Sequence, residues 1–98
     1  MTANYAFGSQ QITGLNTVKT LTIPAGTMKV RLQADDQDIR MSVDGNNPSS
    51  TNGQILRCNT ANNNFLEIDV DEARVAKFIE EAVGAVLNVV YIKNNRSL

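Results

Sequence analysis

Residues 28–43 read MKVRLQADDQDIRMSV, and this stretch decides the fold class. Apolar side chains occupy every second position on both sides of its centre: Met28, Val30, Leu32 and Ala34, then Ile39, Met41 and Val43. Charged and polar side chains fill the positions between them. A period of two is typical of a β-strand with one buried and one solvated face. Because the polar connection Asp35-Asp36-Gln37 separates the two runs, we predict that they form a hairpin.

Further strand signals surround this stretch. Residues 17–23 are rich in β-branched side chains and end at the turn signal Pro24-Ala25-Gly26. Shorter strand patterns follow at 54–58, 66–70 and 85–92, with Asn-rich or Gly-rich connections between them. Many short connections favour an all-β architecture. We therefore predict an antiparallel β-sandwich whose core contains Leu21, Ile23, Val30, Leu32, Ile39, Met41, Leu87 and Val89.

Residues 71–84 support two interpretations. The spacing of Val75, Phe78, Ile79, Ala82 and Val83 follows one face of a helix that would start at Asp71 and end at Gly84. The same residues fit a strand over 75–80 followed by a turn over 81–84. Both remain open from the residues alone.

The first 14 residues lack sustained periodicity and are predicted to form an extended N-terminal arm before a β-sandwich domain over 15–98. Tyr5, Phe7 and Ile12 are apolar residues without an obvious place in the core. Leaving them in water is costly, so we predict that they contact a neighbouring subunit. The alternatives are that the arm is disordered or packs on its own domain. Closed symmetry is the usual outcome for identical chains, so we also predict a homo-oligomer.

Composition excludes several classes of function. The chain has 98 residues, which fit one domain, and its net charge of −1 gives no electrostatic reason to bind nucleic acid or an anionic membrane. No apolar run approaches the roughly 20 residues that span a bilayer. No secretory signal is visible near Met1, so we expect synthesis in the cytoplasm.

The residue types that enzymes and metal sites need are scarce. Without histidine, the chain has no Ser-His-Asp or Cys-His system, and Cys58 alone makes neither a disulfide nor a usual zinc site. Two acidic clusters lack the ligand order of a calcium loop. They are Asp35, Asp36 and Asp38, and Asp69, Asp71 and Glu72. We predict no catalytic residues, no cofactor and no bound metal.

Two polar features are candidate recognition sites. The Asp44–Gly53 loop is long for a hairpin connection, so it is either a docking loop, with Asn46, Asn47 and Pro48 as contacts, or a crossover between sheets. The cations of the predicted hairpin, Lys29, Arg31 and Arg40, would share its polar face. They would pair with Asp38 or meet an acidic partner.

Three stretches in order resemble a known group of proteins. They are LTIPAGT at 21–27 with Val30, Leu32, Gln33 and Ala34; Ile39-Arg40 with Asp44-Gly45, Pro48 and Gly53; and Lys77-Phe78-Ile79 with Gly84-Ala85, Leu87-Asn88-Val89 and Tyr91. This order resembles small β-sandwich virion proteins of tailed bacteriophages, over roughly residues 17–93. The resemblance also favours a strand over 75–80.

The resemblance implies a jelly-roll-like or immunoglobulin-like sandwich that acts as a capsid decoration, or cement, protein and stabilises the head shell. Its partner would be the major capsid protein or another virion protein, and its location the virion, assembled in the host cytoplasm. Because a capsid offers three-fold positions, the resemblance favours a trimer as the homo-oligomer. A neck, tail or fibre accessory protein is the first alternative. A carbohydrate- or cell-surface-binding module with Asn-rich recognition loops is the second.

Overall fold

The computed structural model describes residues 4–49, 51–58 and 65–94, with the backbone alone for residues 4, 5 and 94. These residues form eight strands and one short helix. In chain order they are β1 Asn4–Ile12, β2 Lys19–Thr20, β3 Lys29–Asp35, β4 Ile39–Ser42, β5 Gln54–Leu56, β6 Leu66–Asp69, α1 Val70–Val75, β7 Lys77–Glu80 and β8 Val86–Asn94. The protein is mostly β, as the alternation predicts.

The strands make two antiparallel sheets of four. The order is β1-β8-β3-β6 in the first sheet, here called sheet A, and β2-β7-β4-β5 in sheet B. One cluster of buried side chains draws on both sheets, an arrangement compatible with a small all-β sandwich. Six of the eight predicted core residues are buried, whereas Leu21 and Ile23 are half-buried.

The predicted hairpin between β3 and β4 is wrong. β3 pairs with β8 and β6 in sheet A, whereas β4 pairs with β5 and β7 in sheet B. Asp36 between them has a φ of +70°, in the left-handed region that aspartate tolerates, and the chain crosses from one sheet to the other there. Alternation determines which face of a strand is buried, but it does not determine the neighbouring strand.

The carboxylate of Asp38 connects this crossing to a second one. Its Oδ1 accepts a hydrogen bond of 2.7 Å from the backbone N–H of Cys58, and its Oδ2 one of 3.2 Å from Arg57. Cys58 follows β5 of sheet B and makes a parallel bridge with Ala34 of sheet A, so the chain crosses back at this point. One half-buried carboxylate therefore holds two connections between the sheets.

The segment over 71–84 combines the two interpretations. Helix α1 covers only Val70–Val75, and Asp69, not Asp71, precedes it, without a side-chain capping bond. The helix ends at Ala76 and not at Gly84. β7 then follows within the predicted strand range, and a turn leads to β8 as expected.

The N-terminal arm is not confirmed, because residues 4–12 form edge strand β1 along β8. The register runs from Asn4 opposite Asn94 to Ile12 opposite Leu87, with a bulge between Ala6 and Gly8. Tyr91 reinforces this edge: its hydroxyl lies 2.7 Å from Oε1 of Gln10 and 3.1 Å from the carbonyl oxygen of Thr22.

The electrostatics of Asp38 give the first prediction. The hydrogen bond from the Cys58 N–H lowers the pKa of Asp38 below its ordinary value of 3.8. Arg57 lowers this pKa further, whereas desolvation by burial opposes both effects. A lowered folded pKa stabilises the protein above the unfolded pKa, and this contribution is lost as the pH falls through the folded value. Asp38→Asn should lower the free energy of unfolding at neutral pH by about 1 kcal/mol and flatten its decline in acid.

Urea unfolding at a series of pH values from neutral to acid measures both the loss of stability and its dependence on pH. Asp36→Asn is the matched control, because Asp36 is exposed and asparagine also tolerates its backbone conformation. It should unfold with the wild-type pH profile. An Asp38→Asn profile identical to that of the wild type would show that Asp38 does not hold the crossings.

Candidate interaction surface

The acidic residues singled out in the sequence are dispersed by the fold. Asp38 binds the Arg57–Cys58 segment, Asp71 pairs with Arg74 at 3.1 Å, and Asp69 lies opposite Lys29 in the ladder of sheet A. Over the described ranges, no three Cys, Asp or Glu residues form a group that could hold a metal ion. No helix in the same ranges is long and apolar enough to cross a membrane.

Cys58 has the environment of a packed thiol. Its side chain is half-buried against the core. Desolvation raises the pKa of this thiol, and the neighbouring carboxylate of Asp38 raises it further. Because the thiolate is the reactive form, this environment disfavours nucleophilic chemistry at neutral pH.

The three cations of the predicted hairpin lie in different sheets, so the prediction of one shared polar face is wrong. Lys29 and Arg31 pair with Glu67 across sheet A, at 3.8 and 3.3 Å. Arg40 in sheet B has its Nε 2.7 Å from Glu81 and donates a hydrogen bond of 2.9 Å to the carbonyl of Gly53. None of these pairs includes Asp38, the predicted partner.

The Asp44–Gly53 loop joins β4 to β5 within sheet B, so it is a hairpin connection and not a crossover. Lys77 anchors its start, because Nζ donates to the carbonyl of Gly45 at 2.9 Å and to Oδ1 of Asn47 at 3.2 Å. At its end, Gly53 has a φ of +123°, and a Cβ there would lie 3.0 Å from the Met41 carbonyl oxygen. The loop therefore folds tightly back on β4.

The predicted contact residues fall into two separate groups. Phe7 and Ile12 lie in β1, half-buried against their own core, and the side chain of Tyr5 lies outside the described part of the chain. Asn46 and Asn47 are exposed in the β4–β5 loop, whereas Pro48 is buried beneath it. The structure thus places three of these residues in a sheet edge and three in a loop of the other sheet, and does not bring them together.

A residue that the sequence did not single out is the most exposed large apolar side chain described. Val83, in the turn between β7 and β8, is 87% exposed. Two shallow clefts of about 430 and 420 Å³ adjoin it, and both are also lined by Asn16 and Glu80. Val86 extends the apolar lining in the first cleft, and Ile79 extends it in the second. These five residues are called the Val83 surface below.

Backbone hydrogen bonds hold the Val83 surface to the core. The N–H of Glu80 donates to the carbonyl of buried Leu15, and the N–H of Glu81 donates to that of Asp38, both at 3.0 Å. Arg40 holds the Glu81 side chain from below. The base of the turn that carries Val83 is therefore tied to the β1–β2 and β3–β4 connections.

The helical interpretation of 71–84 put Val83 on the apolar face of a helix, whereas the strand interpretation put it in a turn over 81–84, where the structure has it. Gly84, with a φ of +103°, was the available signal for a turn at this point. No protein-family model, curated protein or solved structure matches the chain.

Proposed function

We propose that this chain is a structural protein of a tailed-bacteriophage virion and that it decorates the capsid, where it stabilises the head shell. The order of strand pairing is the observation that carries the proposal. The motif order between residues 17 and 93 and the Val83 surface support it independently.

The strands pair in a nested order, in which the first strand pairs with the last, the second with the next to last, and so on inward: β1·β8, β2·β7, β3·β6 and β4·β5. This is the order of one long hairpin rolled into two sheets. Only the connection from β4 to β5 stays within a sheet, and every other consecutive pair of strands changes sheet. Eight antiparallel strands in this nested order match a jelly-roll topology, and we infer that fold in preference to an immunoglobulin-like one. Jelly rolls build viral capsid domains and also lectin domains.

The Val83 surface has the chemistry expected of a contact repeated over a lattice. Burying one exposed valine contributes about 1.5–3 kcal/mol, which alone gives a weak contact. A shell presents many identical sites, so weak contacts from linked copies add up to firm attachment. Glu80 is the one acidic residue among the five residues of this surface. The neighbouring Glu81 also lines the second cleft, but its carboxylate is paired with Arg40. The proposed partner is the major capsid protein.

A neck, tail or fibre accessory protein would use the same fold and the same surface. Copy number separates these roles, because a shell offers hundreds of equivalent sites and a neck or tail ring offers a dozen or fewer. We favour the shell because a contact through one exposed valine is weak, and a shell with many identical sites compensates for weak single contacts.

A carbohydrate-binding module is the second candidate, because Phe65 is 55% exposed and a sugar ring could stack on it. Phe65 lines a cleft of about 210 Å³ with Leu66 and part of β5. However, the guanidinium of Arg31 lies 4.8 Å from the ring centroid and covers one face. A single aromatic ring with one face covered is a poor platform for stacking a sugar, so we rank carbohydrate binding below a structural role in the virion.

Particle composition gives the second prediction. Quantitative mass spectrometry of particles purified from the host that carries the gene should find this chain at hundreds of copies per particle. A dozen or fewer copies would instead support the neck or tail alternative. Complete absence from purified particles would contradict a virion role.

The third prediction tests the Val83 surface. Val83→Asp should weaken binding to particles assembled without this protein by at least about tenfold, because a charge replaces buried apolar contact. Its free energy of unfolding should stay within about 0.5 kcal/mol of the wild-type value, since the side chain is exposed.

Ala25→Asp is the control, because it adds the same charge in the exposed turn after Pro24. That turn leads to Met28, whose N–H donates to the carbonyl of Ile92 near the opposite end of β8. Sedimentation of the protein with particles measures binding. Equal binding by Val83→Asp and the wild type would show that another surface meets the shell.

A further inference from the structure

β1 is the longest edge strand of the two sheets. It has nine residues, against two in β2, three in β5 and four in β6. In the described part of the chain, all backbone pairing of β1 is with β8, so its other edge presents unpaired N–H and C=O groups. Such an edge is a template for another strand.

The composition of β1 leaves this edge unprotected. Its sequence, NYAFGSQQI, contains no charged residue and no proline. The other edges are either very short or, in β6, carry Glu67 and Asp69. The bulge lies near the start of β1, and Gly8–Ile12 continue in unbroken register with β8. Five regular residues are thus available for pairing.

We propose that a second copy of this chain binds here, with its β1 antiparallel to the first, so that the two copies of sheet A join into one sheet of eight strands. A strand without charge meets an identical strand without electrostatic repulsion. The side chains of Ser9, Gln10 and Gln11 are exposed. Gln10 Oε1 accepts a hydrogen bond from Tyr91 and Gln11 Nε2 donates one to Asn88, so both glutamines bond to β8, and the outer edge offers backbone N–H and C=O groups. The edge is therefore complementary to itself, and antiparallel pairing closes the assembly with two-fold symmetry.

This pairing gives a different oligomer from the one expected from the sequence. The expected oligomer was held by a free arm, and residues 4–12 are instead a strand of their own sheet. A five-residue ladder buries less than the roughly 1,600 Å² of a standard interface. The dimer is therefore weak in solution, with a dissociation constant of about micromolar to millimolar, and it strengthens where copies are held close together.

Sedimentation equilibrium over a range of protein concentrations tests the proposal. The wild type should pass from monomer to dimer as concentration rises. Ser9→Lys should raise the dissociation constant at least about tenfold, because a lysine on an edge strand opposes strand addition and the two added charges occupy diagonal positions of the new ladder. Thr20→Lys is the matched control: it places the same charge on exposed Thr20 in β2, the edge of sheet B. It should dimerise as the wild type does.

Oxidative cross-linking in a Cys58→Ser background locates the contact. With Gly8–Ile12 paired antiparallel, Ser9 of one copy lies opposite Gln11 of the other. A mixture of Ser9→Cys and Gln11→Cys proteins should therefore give disulfide-linked dimers, whereas Thr20→Cys should stay monomeric. A wild type that remains monomeric at all concentrations, or a Ser9→Lys variant that dimerises like the wild type, would overturn the proposal. Val83→Asp should still dimerise, so a failure of this inference is distinguishable from a failure of particle binding.

Discussion

The whole structure depends on β3 and β4 burying their apolar faces in one core from opposite sheets. Val30 and Leu32 enter that core from sheet A, and Ile39 and Met41 enter it from sheet B. The backbone can make this change of sheet within three residues because Asp36 adopts a left-handed conformation and Asp38 binds the returning chain at Cys58. Once β3 and β4 are separated, the remaining strands take nested partners around them.

The sequence predicted the strands and their buried faces better than their partners. Phe78, Tyr91 and six of the predicted core residues are buried, because burial follows a period of two that can be seen locally. Partner choice depends on contacts distant in sequence. The expected β3–β4 hairpin is therefore a crossing, and the loop over 44–53, for which a crossover was one interpretation, connects a hairpin. The pairing of residues 4–12 with β8 was not predicted, for the same reason, whereas the strand interpretation of 75–80 did place Val83 in a turn.

The fold separates two surfaces with different chemistry. The Val83 surface combines three apolar residues with Asn16 and Glu80, lies around the turn between the two sheets and is held by Leu15, Asp38 and Arg40. The β1 edge is uncharged and offers backbone hydrogen bonds along sheet A. Our account assigns the first to a shell subunit and the second to another copy of the chain. A module with both functions would link neighbouring sites on a lattice, which is the mechanical role of a cement protein.

The crossing between β3 and β4 is most directly tested by cross-strand nuclear Overhauser effects in the isotope-labelled protein. The account predicts backbone contacts of Arg31 with Val90 and Glu67, and of Arg40 with Ile79 and Ile55. A continuous ladder of contacts between the β3 and β4 backbones would contradict it, because both strands would then belong to one sheet and the nested pairing could not form.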